Sequence, residues 1–219
     1  MQLVLLYLPI IAERLSNFNN LLDFGAGPTI HVAVIFRKKA DNIFLADYLA
    51  QNRQELVKWM NNCSEFDWSL TIKKIATVEG LDWSQLPQIE NDTRKRVRDI
   101  FFCDCHRNPS VNAPPSLMGN FDAVVTIFCI EYCCNTIAEY KQAAKNIIDQ
   151  VKPGGIFVMG GILRETWCSY GNRKFSCLYL TEEEMIETLR ECGLLIDDQQ
   201  QTIYYNVHDM FLLCTRKKS

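Results

Sequence analysis

The amino-acid sequence predicts an α/β fold in a single domain, with a mainly parallel β-sheet and helices on both faces. Short apolar runs alternate with stretches of helical period, as in strands joined by helical crossovers. One such run, Ala123-Val124-Val125-Thr126-Ile127, is apolar or β-branched throughout, as in a strand buried on both faces. The chain has 219 residues, of which 48% are hydrophobic and 22% charged, and no boundary divides residues 1–219.

The first half of the chain is predicted to contain three strands, over 20–24, 42–46 and 99–103. The same patterns predict helices over 29–37, 50–60 and 90–98. Near the N-terminus, the apolar stretch 3–12 is too short for a bilayer span, which needs about 20 residues. It predicts instead an amphipathic helix that continues through Phe18.

The second half is predicted to add strands over 121–128 and 156–159 and a C-terminal hairpin over 194–204 and 210–215. A proline-rich loop over 106–119 precedes these strands, and a helix over 136–151 separates the first two. Pro153-Gly154-Gly155 predicts a tight turn into the fifth strand. Thr181 and Glu184 predict a capping box that begins a helix, and Gly193 predicts where that helix ends.

Charge and cysteine usage limit the partners and the compartment. Lys plus Arg number 23 and Asp plus Glu 26, so the net charge is −3 and we expect no nucleic-acid partner. The ten cysteines form no C-x-x-C pair, and Cys103-Asp104-Cys105-His106 is too closely spaced for a structural zinc site. We therefore expect reduced thiols in a cytoplasmic protein. We also expect no membrane contact and a monomer.

A glycine-containing turn follows the first predicted strand, in the segment Asp23-Phe24-Gly25-Ala26-Gly27-Pro28-Thr29. Glycines there let the backbone approach a ligand at the carboxyl ends of the strands, where open α/β sheets bind ligands. A dinucleotide-binding turn needs a third glycine where Ile30 stands, so a nicotinamide dinucleotide is disfavoured. Taken alone, the segment also fits an ordinary tight turn.

Two acidic residues stand at the ends of the next two predicted strands. Asp47 could accept hydrogen bonds from two ribose hydroxyls, and Asp104 could meet an adenine amino group. Each residue taken alone also fits a helix N-cap or a surface acid. Together they predict an adenosine site without a phosphate-binding loop, and S-adenosylmethionine is such a ligand.

Six short segments carry a resemblance to a known family. They are Leu22 to Ile30, Ala46-Asp47-Tyr48, Asn52 to Leu56 with Trp59, Phe66-Asp67-Trp68-Ser69, Phe128-Cys129-Ile130-Glu131 and Lys152-Pro153-Gly154-Gly155. The segments resemble those of the small-molecule amine methyltransferases, that is, the nicotinamide, phenylethanolamine and indolethylamine N-methyltransferases. The resemblance covers about residues 21–217. It implies a class I S-adenosylmethionine-dependent methyltransferase fold, which is Rossmann-like, with a seven-stranded, mostly parallel sheet and a C-terminal antiparallel hairpin.

The resemblance also implies a set of cofactor-binding residues. Those beside the methionine part of S-adenosylmethionine are Gly25, Gly27 and Thr29. Those beside its ribose and adenine are Asp47, Tyr48, Asn52, Asp104 and Cys105.

A pocket for a small amine is implied beside the cofactor, with Phe128 binding the substrate and Glu131 and Glu165 acting in catalysis. Glu165 matches a second pocket glutamate of the phenylethanolamine branch, and Gly161 stands where the nicotinamide branch has an aspartate. An arylalkylamine is therefore expected rather than nicotinamide. A carboxylate suits this chemistry because a protonated amine must lose a proton before its nitrogen can attack, and no metal is needed. Alternatively, Glu131 is a helix-start acid and Glu165 a solvated loop acid.

The N-terminal part departs from the family pattern. About 20 residues precede the first strand, where the family usually has about fifty that fold over the cofactor as a lid. Tyr7 is the only tyrosine among them, and His31 replaces another cofactor-side tyrosine. We therefore expect weak cofactor retention. Three functions remain open: an active amine N-methyltransferase, a non-catalytic relative that binds a metabolite or partner, and an oxidoreductase, which Ile30 disfavours.

Overall fold

A computed structural model describes residues 2–170 and 173–219. Within them the strands are β1 (Phe18–Phe24), β2 (Ala40–Asp47), β3 (Val97–Phe102), β4 (Phe121–Ile127), β5 (Val151–Ile162), β6 (Trp167–Tyr170), β7 (Arg173–Ser176), β8 (Ile203–Val207) and β9 (Met210–Arg216). The helices are α1 (Gln2–Arg14), α2 (His31–Phe36), α3 (Ala50–Met60), α4 (Ser69–Val78), α5 (Leu86–Arg96), α6 (Ile130–Cys133), α7 (Ile137–Ile148) and α8 (Glu182–Glu191).

Seven strands of the described chain form one sheet, in the order β3-β2-β1-β4-β5-β9-β8, and β6 and β7 pair separately. Neighbours from β3 to β5 are parallel, whereas β9 runs antiparallel to both β5 and β8. The predicted mostly parallel sheet with a C-terminal antiparallel hairpin is confirmed. The strand order reverses between β1 and β4, which leaves a crevice at their carboxyl ends.

Successive side chains along a strand point to opposite faces of the sheet, and helices cover both faces. Leu21 and Ile43 belong to the apolar cluster under α1 to α5, whereas their neighbours Leu22 and Phe44 belong to the cluster under α7 and α8. This burial accounts for the continuous apolar runs of the central strands. Across the residues described, no helix has both the length and the apolarity to cross a bilayer.

Two helices have the boundaries predicted from the sequence. Helix α3 spans the predicted residues 50–60. At the start of α8, Thr181 Oγ1 accepts a hydrogen bond from Glu184 N at 3.2 Å, and Glu184 Oε2 accepts one from Thr181 N at 2.9 Å. Gly193 follows the helix with φ of +83°, in the left-handed region that ends helices. The predicted capping box and helix end are therefore confirmed.

Other local predictions need correction. Helix α1 ends at Arg14, so Phe18 begins β1 rather than continuing the helix. Helix α4 and the β6–β7 hairpin occupy segments for which the sequence predicted no element. Strand β5 begins at Val151, and its register with β4 shifts between Phe121 and Ala123. Pro153-Gly154-Gly155 therefore lies in an irregular part of the strand rather than in a separate turn.

Candidate active site

A cleft of about 600 Å³ opens at the carboxyl ends of β1 to β4. Seven residues implied to bind a cofactor line it: Gly25, Gly27, Asp47, Tyr48, Asn52, Asp104 and Cys105. The eighth, Thr29, lines a smaller adjoining cavity of about 180 Å³, and Gly25, Gly27 and Phe128 line both spaces. The structure thus brings these eight residues together at the crevice, and their contacts with a ligand remain predictions.

The glycine turn after β1 exposes its backbone to the cleft. Gly25 and Gly27 have φ of +76° and +62°, a region that glycine enters without steric cost. The backbone N–H groups of Gly25 and Ala26 both donate to the Ala46 carbonyl at 2.9 Å, which ties the turn to β2. A Cβ on Gly25 would overlap Sγ of Cys129. The turn therefore packs directly against the segment after β4, and only glycine leaves the space between them.

Asp47 is buried at the end of β2 and holds the neighbouring turns in place. Its Oδ2 accepts a hydrogen bond from Gly27 N at 2.8 Å. Its Oδ1 accepts hydrogen bonds from Leu49 N at 2.8 Å and Asn52 Nδ2 at 2.9 Å. A carboxylate has about four acceptor positions, so about one is left for a ligand. Two ribose hydrogen bonds, as the sequence predicted, therefore require a protein donor such as the Asn52 amide to turn away.

Tyr48 forms the outer rim of the cleft. Its side chain is 60% exposed, and its ring centroid lies 5.6 Å from that of Phe102. Arg53 Nη1 donates to the carbonyls of Asp47 at 2.9 Å and Tyr48 at 2.7 Å. The Arg53 guanidinium therefore fixes the turn between β2 and α3, and with it the direction in which Tyr48 leaves the sheet.

The segment after β3 bounds the other end of the cleft. Asp104 Oδ1 accepts a hydrogen bond from His106 N at 3.0 Å, and its Oδ2 lies 3.1 Å from Arg107 Nε. Cys105 is buried, and its carbonyl accepts a hydrogen bond from Asn146 Nδ2 at 2.8 Å. These contacts fix the shape of the loop. His106 also lines the cleft, although sequence reasoning gave it no role there.

The smaller cavity is lined by two buried side chains, Asp23 and His31, each with an unsatisfied polar atom. Asp23 Oδ2 and His31 Nε2 have no hydrogen-bond partner among residues 2–170 and 173–219. Burial, and then the nearby charge of Asp47, raises the pKa of Asp23 well above its ordinary value. Sequence reasoning missed Asp23, although an acid between apolar residues at the end of a buried strand was a usable signal.

The hydrogen bonds of Thr29 fix the tautomer of His31. Thr29 Oγ1 donates its single proton to the Ala26 carbonyl at 2.7 Å, so His31 Nδ1, 3.0 Å away, must donate to Thr29. Burial lowers the pKa of His31 to about 4, so the ring is neutral at physiological pH. His31 Nε2 therefore offers a lone pair to the cavity, as an acceptor rather than a donor.

Phe128 lies where the two spaces meet, directly after β4. Its φ is +50°, an outlier for a bulky residue, and its backbone N–H donates to the Gly160 carbonyl at 2.7 Å. Such strain is retained where the surrounding structure enforces it, often beside a functional site. Phe128 lines both the cleft and the smaller cavity, and its role in substrate binding stays a prediction.

Glu131 is buried in α6 and lines neither cavity in the part of the chain described. Its Oε1 accepts a hydrogen bond from Ile162 N at 3.2 Å, whereas Oε2 has no partner among the described residues. Burial raises the pKa of Glu131 to about 8, so the carboxyl is mainly protonated at neutral pH. The Glu131 carbonyl accepts a hydrogen bond from Leu178 N at 2.7 Å, which places the segment after β7 against this glutamate.

Glu165 is not brought into the cleft. Its side chain is exposed on the segment between β5 and β6, and it lines neither cavity described above. Its carbonyl accepts a hydrogen bond from Cys177 Sγ at 3.4 Å, which ties the two ends of the β6–β7 hairpin together. The expectation that both glutamates line one pocket is therefore not met in this conformation.

Gly161 gives Glu131 the space for its carboxyl group. A Cβ at this position would lie 2.7 Å from Glu131 Oε1 and 3.0 Å from Phe211 Cε1. We expect Gly161→Ala to displace the carboxyl and to cost about 1–3 kcal/mol, or a fall in Tm of about 2–12 °C. Differential scanning fluorimetry measures this. In a Glu131→Ala background the same substitution should cost less, and an equal cost in both backgrounds would refute the contact as its cause.

Comparison with known proteins places these features in a family. The sequence profile of the NNMT/PNMT/TEMT family matches residues 1–218. A nicotinamide N-methyltransferase of Caenorhabditis elegans is 33% identical over 225 residues, covering 99% of this chain and 82% of that protein. The nicotinamide N-methyltransferase of Homo sapiens is 30% identical, covering 91% and 77%. A phenylethanolamine N-methyltransferase of Bos taurus is 31% identical, covering 80% and 63%.

Solved structures share the fold at low sequence identity. An S-adenosylmethionine-dependent methyltransferase of Methanosarcina mazei matches with a TM-score of 0.61 at 12% identity, over 96% of this chain and 97% of that one. One from Clostridium acetobutylicum matches with a TM-score of 0.58 at 11% identity, over 98% and 92%. The chain spans about half of a carbon methyltransferase structure, 54% of its length, with a TM-score of 0.60 and 13% identity.

Proposed function

We propose, from the premise that this chain belongs to the NNMT/PNMT/TEMT family of S-adenosylmethionine-dependent N-methyltransferases, that it methylates the nitrogen of a small arylalkylamine. The observation that supports an amine substrate is the buried carboxyl of Glu131 beside Gly161, whose Oε2 has no hydrogen-bond partner among residues 2–170 and 173–219. The matched relatives include nicotinamide N-methyltransferases as well as a phenylethanolamine one, so the substrate class depends on these residues and on experiment.

The polar groups that line the cleft and the smaller cavity fit the proposed cofactor. When bound, S-adenosylmethionine supplies a methyl group on a positively charged sulfur. The glycine turn leaves room for close backbone approach, and Asp47 and Asp104 offer carboxylates near the ends of β2 and β3. In the smaller cavity, the unsatisfied oxygen of Asp23 and the lone pair of His31 Nε2 suit a donor group such as an ammonium. No phosphate-binding loop is needed for such a ligand.

Glu131 is proposed to bind the amine and to take its proton. A primary alkyl amine is protonated at neutral pH, so its nitrogen has no lone pair until a proton leaves. Only the ionised Glu131 carboxylate can accept that proton, directly or through one water molecule. With a pKa of about 8, a minority of the Glu131 carboxyls are ionised at neutral pH, so methyl transfer should increase as pH rises towards about 9. Because Glu131 lines neither cavity of the described structure, the amine reaches Oε2 only when the cover over it opens. The segment after β7, bonded to the Glu131 carbonyl through Leu178 N, is part of that cover.

Glu165 is proposed to attract the ammonium before it reaches Glu131. Its exposed carboxylate stands at the base of the β6–β7 hairpin, on the segment before β6. The hydrogen bond from Cys177 Sγ to the Glu165 carbonyl ties that segment to the one after β7, which packs against Glu131. A charge at an entrance raises the local concentration of a cation more than it changes the chemical step. The expected effect of Glu165 is therefore on KM for charged amines, and it should weaken with added salt.

Methyl transfer to a panel of primary arylalkylamines and nicotinamide tests this proposal. We expect kcat/KM for the preferred amine to exceed that for nicotinamide at least about tenfold, because the pocket offers an acid to an ammonium. Glu165→Gln should raise KM for the amines and leave nicotinamide unchanged. Glu187→Gln, an exposed acid on α8, serves as the matched control and should change neither.

The outcomes separate the alternatives. A preference for nicotinamide would contradict the choice of amine. Cofactor binding without transfer to any acceptor would favour a non-catalytic binding protein of the same fold. Binding of a nicotinamide dinucleotide in place of the cofactor would favour the oxidoreductase.

A further inference from the structure

Four free cysteines line the cleft: Cys103, Cys105, Cys129 and Cys133. The sequence patterns gave no function to Cys133, which lies at the end of α6. Cys133 is exposed to solvent, whereas Cys105 is buried in the loop after β3. A reactive exposed thiol with a second thiol beside it is the usual arrangement of a site that forms a disulfide.

The two segments that carry Cys105 and Cys133 are joined by hydrogen bonds. His106 Nε2 lies 3.0 Å from the carbonyl of Cys133, which links the residue after Cys105 to the last residue of α6. Asn146 Nδ2 holds the Cys105 carbonyl at 2.8 Å from the other side. These contacts keep the loop and α6 adjacent at the end of the cleft beside Asp104.

The surroundings of Cys133 favour its thiolate. The neighbouring Cys105 thiol, and then the Cys129 thiol, lowers the pKa of Cys133 below its ordinary value, because each can donate a hydrogen bond to a thiolate. The thiolate is the nucleophilic form of cysteine. Cys129 is the less suitable partner for a disulfide because its Sγ packs against Gly25 of the glycine turn.

We propose that Cys105 and Cys133 form a dithiol site that hydrogen peroxide converts to a disulfide across the end of the cleft. The Cys133 thiolate attacks one peroxide oxygen, the O–O bond breaks, and hydroxide leaves, which gives a sulfenic acid. The Cys105 sulfur then attacks the Cys133 sulfur and forms the S–S bond. The departing hydroxyl takes the Cys105 proton and leaves as water. The hydroxide from the first step takes up the proton that Cys133 released on ionising, so two thiols lose two electrons and two protons and the peroxide becomes two water molecules.

The disulfide is expected to close the site to its cofactor. Both cysteines line the cleft beside Asp104, so joining them narrows the space that the adenine is proposed to occupy. This consequence rests on the proposed function, whereas formation of the disulfide does not. A thiol reductant should reopen the cleft, because the disulfide is the reversible step of cysteine oxidation.

Peptide mapping of the whole chain without reduction tests the site. Trypsin cleaves after Arg98, Arg107 and Lys141, so Cys105 and Cys133 fall in separate peptides, 99–107 and 108–141. After peroxide treatment, mass spectrometry should show these two peptides joined through Cys105 and Cys133. The link should vanish in Cys133→Ser and persist in Cys134→Ser, a matched control in the same peptide. Treated wild-type protein without this link would overturn the proposal.

Calorimetry with S-adenosylhomocysteine tests the closure, each protein being compared with its own reduced form. Oxidised wild-type protein should lose at least about tenfold in affinity and regain it with dithiothreitol. Oxidised Cys133→Ser should keep the affinity of its reduced form. A complete Cys105–Cys133 link with unchanged affinity would overturn the closure. Failure of reduced wild-type protein to bind would contradict the proposed function instead, and the peptide map would still decide whether the disulfide forms.

Discussion

Replacing Glu131 with glutamine should make the protein progressively more stable than wild type as pH rises from about 5 to about 9. The Glu131 pKa is about 8 in the folded protein, raised by burial from an ordinary value of 4.5. Below the ordinary value both states carry a protonated carboxyl and no penalty exists. Between the two values only the unfolded state ionises, so wild-type stability falls with pH until it levels off above about 8. Glutamine cannot ionise, so the stability of the variant does not fall with pH in this way.

The expected gain at alkaline pH is on the order of a few kcal/mol, or several degrees in Tm. The same variant should lose methyl transfer to amines by about 10²–10⁴-fold, the usual contribution of a general base. Tm measured across pH and kcat/KM measured on the same preparations test both effects. Glu187→Gln on the surface of α8 is the matched control and should change neither. A Glu131→Gln protein with wild-type turnover would show that the residue is only a helix-start acid.

Replacing Asp47 with asparagine should weaken binding of S-adenosylmethionine at least about tenfold, because it removes the charged acceptor for a ribose hydroxyl. The asparagine amide would also point a donor at one of the three protein N–H groups that Asp47 now accepts from. Asp47→Ala should weaken binding as well. Because the alanine accepts none of the three hydrogen bonds of the Asp47 carboxylate, this variant should also lower the free energy of unfolding by about 1 kcal/mol for each bond.

Calorimetric titration of the two Asp47 variants, with Tm measured in parallel, tests this assignment. Asp41→Asn is the matched control, since Asp41 is an exposed acid on the same strand, in an ion pair with Arg96. It should leave cofactor affinity unchanged. Wild-type affinity in Asp47→Asn would show that Asp47 makes no ribose contact, whatever the effect on stability.

The fold was predictable from sequence because burial leaves a pattern along the chain. Central strands with both faces covered have continuous apolar runs in the sequence. Thr181 and Glu184 mark the start of a helix, because they form the two hydrogen bonds of a capping box. Helix α4 and the β6–β7 hairpin have no comparable signal. Strand β7 in particular is exposed along its whole length, so no apolar alternation marks it.

The site residues that stand at the carboxyl ends of strands could be predicted from the sequence. Asp47 and the glycine turn fall in the cleft because parallel strands meet at one edge of the sheet. Glu165 lies beyond the last residue of β5, where the path of the loop, and not the sheet, decides where a side chain goes. The buried position of Glu131 and its dependence on Gly161 could not be predicted, because they depend on packing between α6 and β5.

The central claim is that the cleft at the ends of β1 to β4 holds an S-adenosyl cofactor. A crystal structure of the chain with S-adenosylhomocysteine tests this claim most directly. We expect the ligand's ribose against Asp47, its adenine beside Asp104 and Cys105, and its amino group in the smaller cavity near Asp23 and His31. A ligand bound elsewhere, or an empty cleft at saturating ligand, would contradict it.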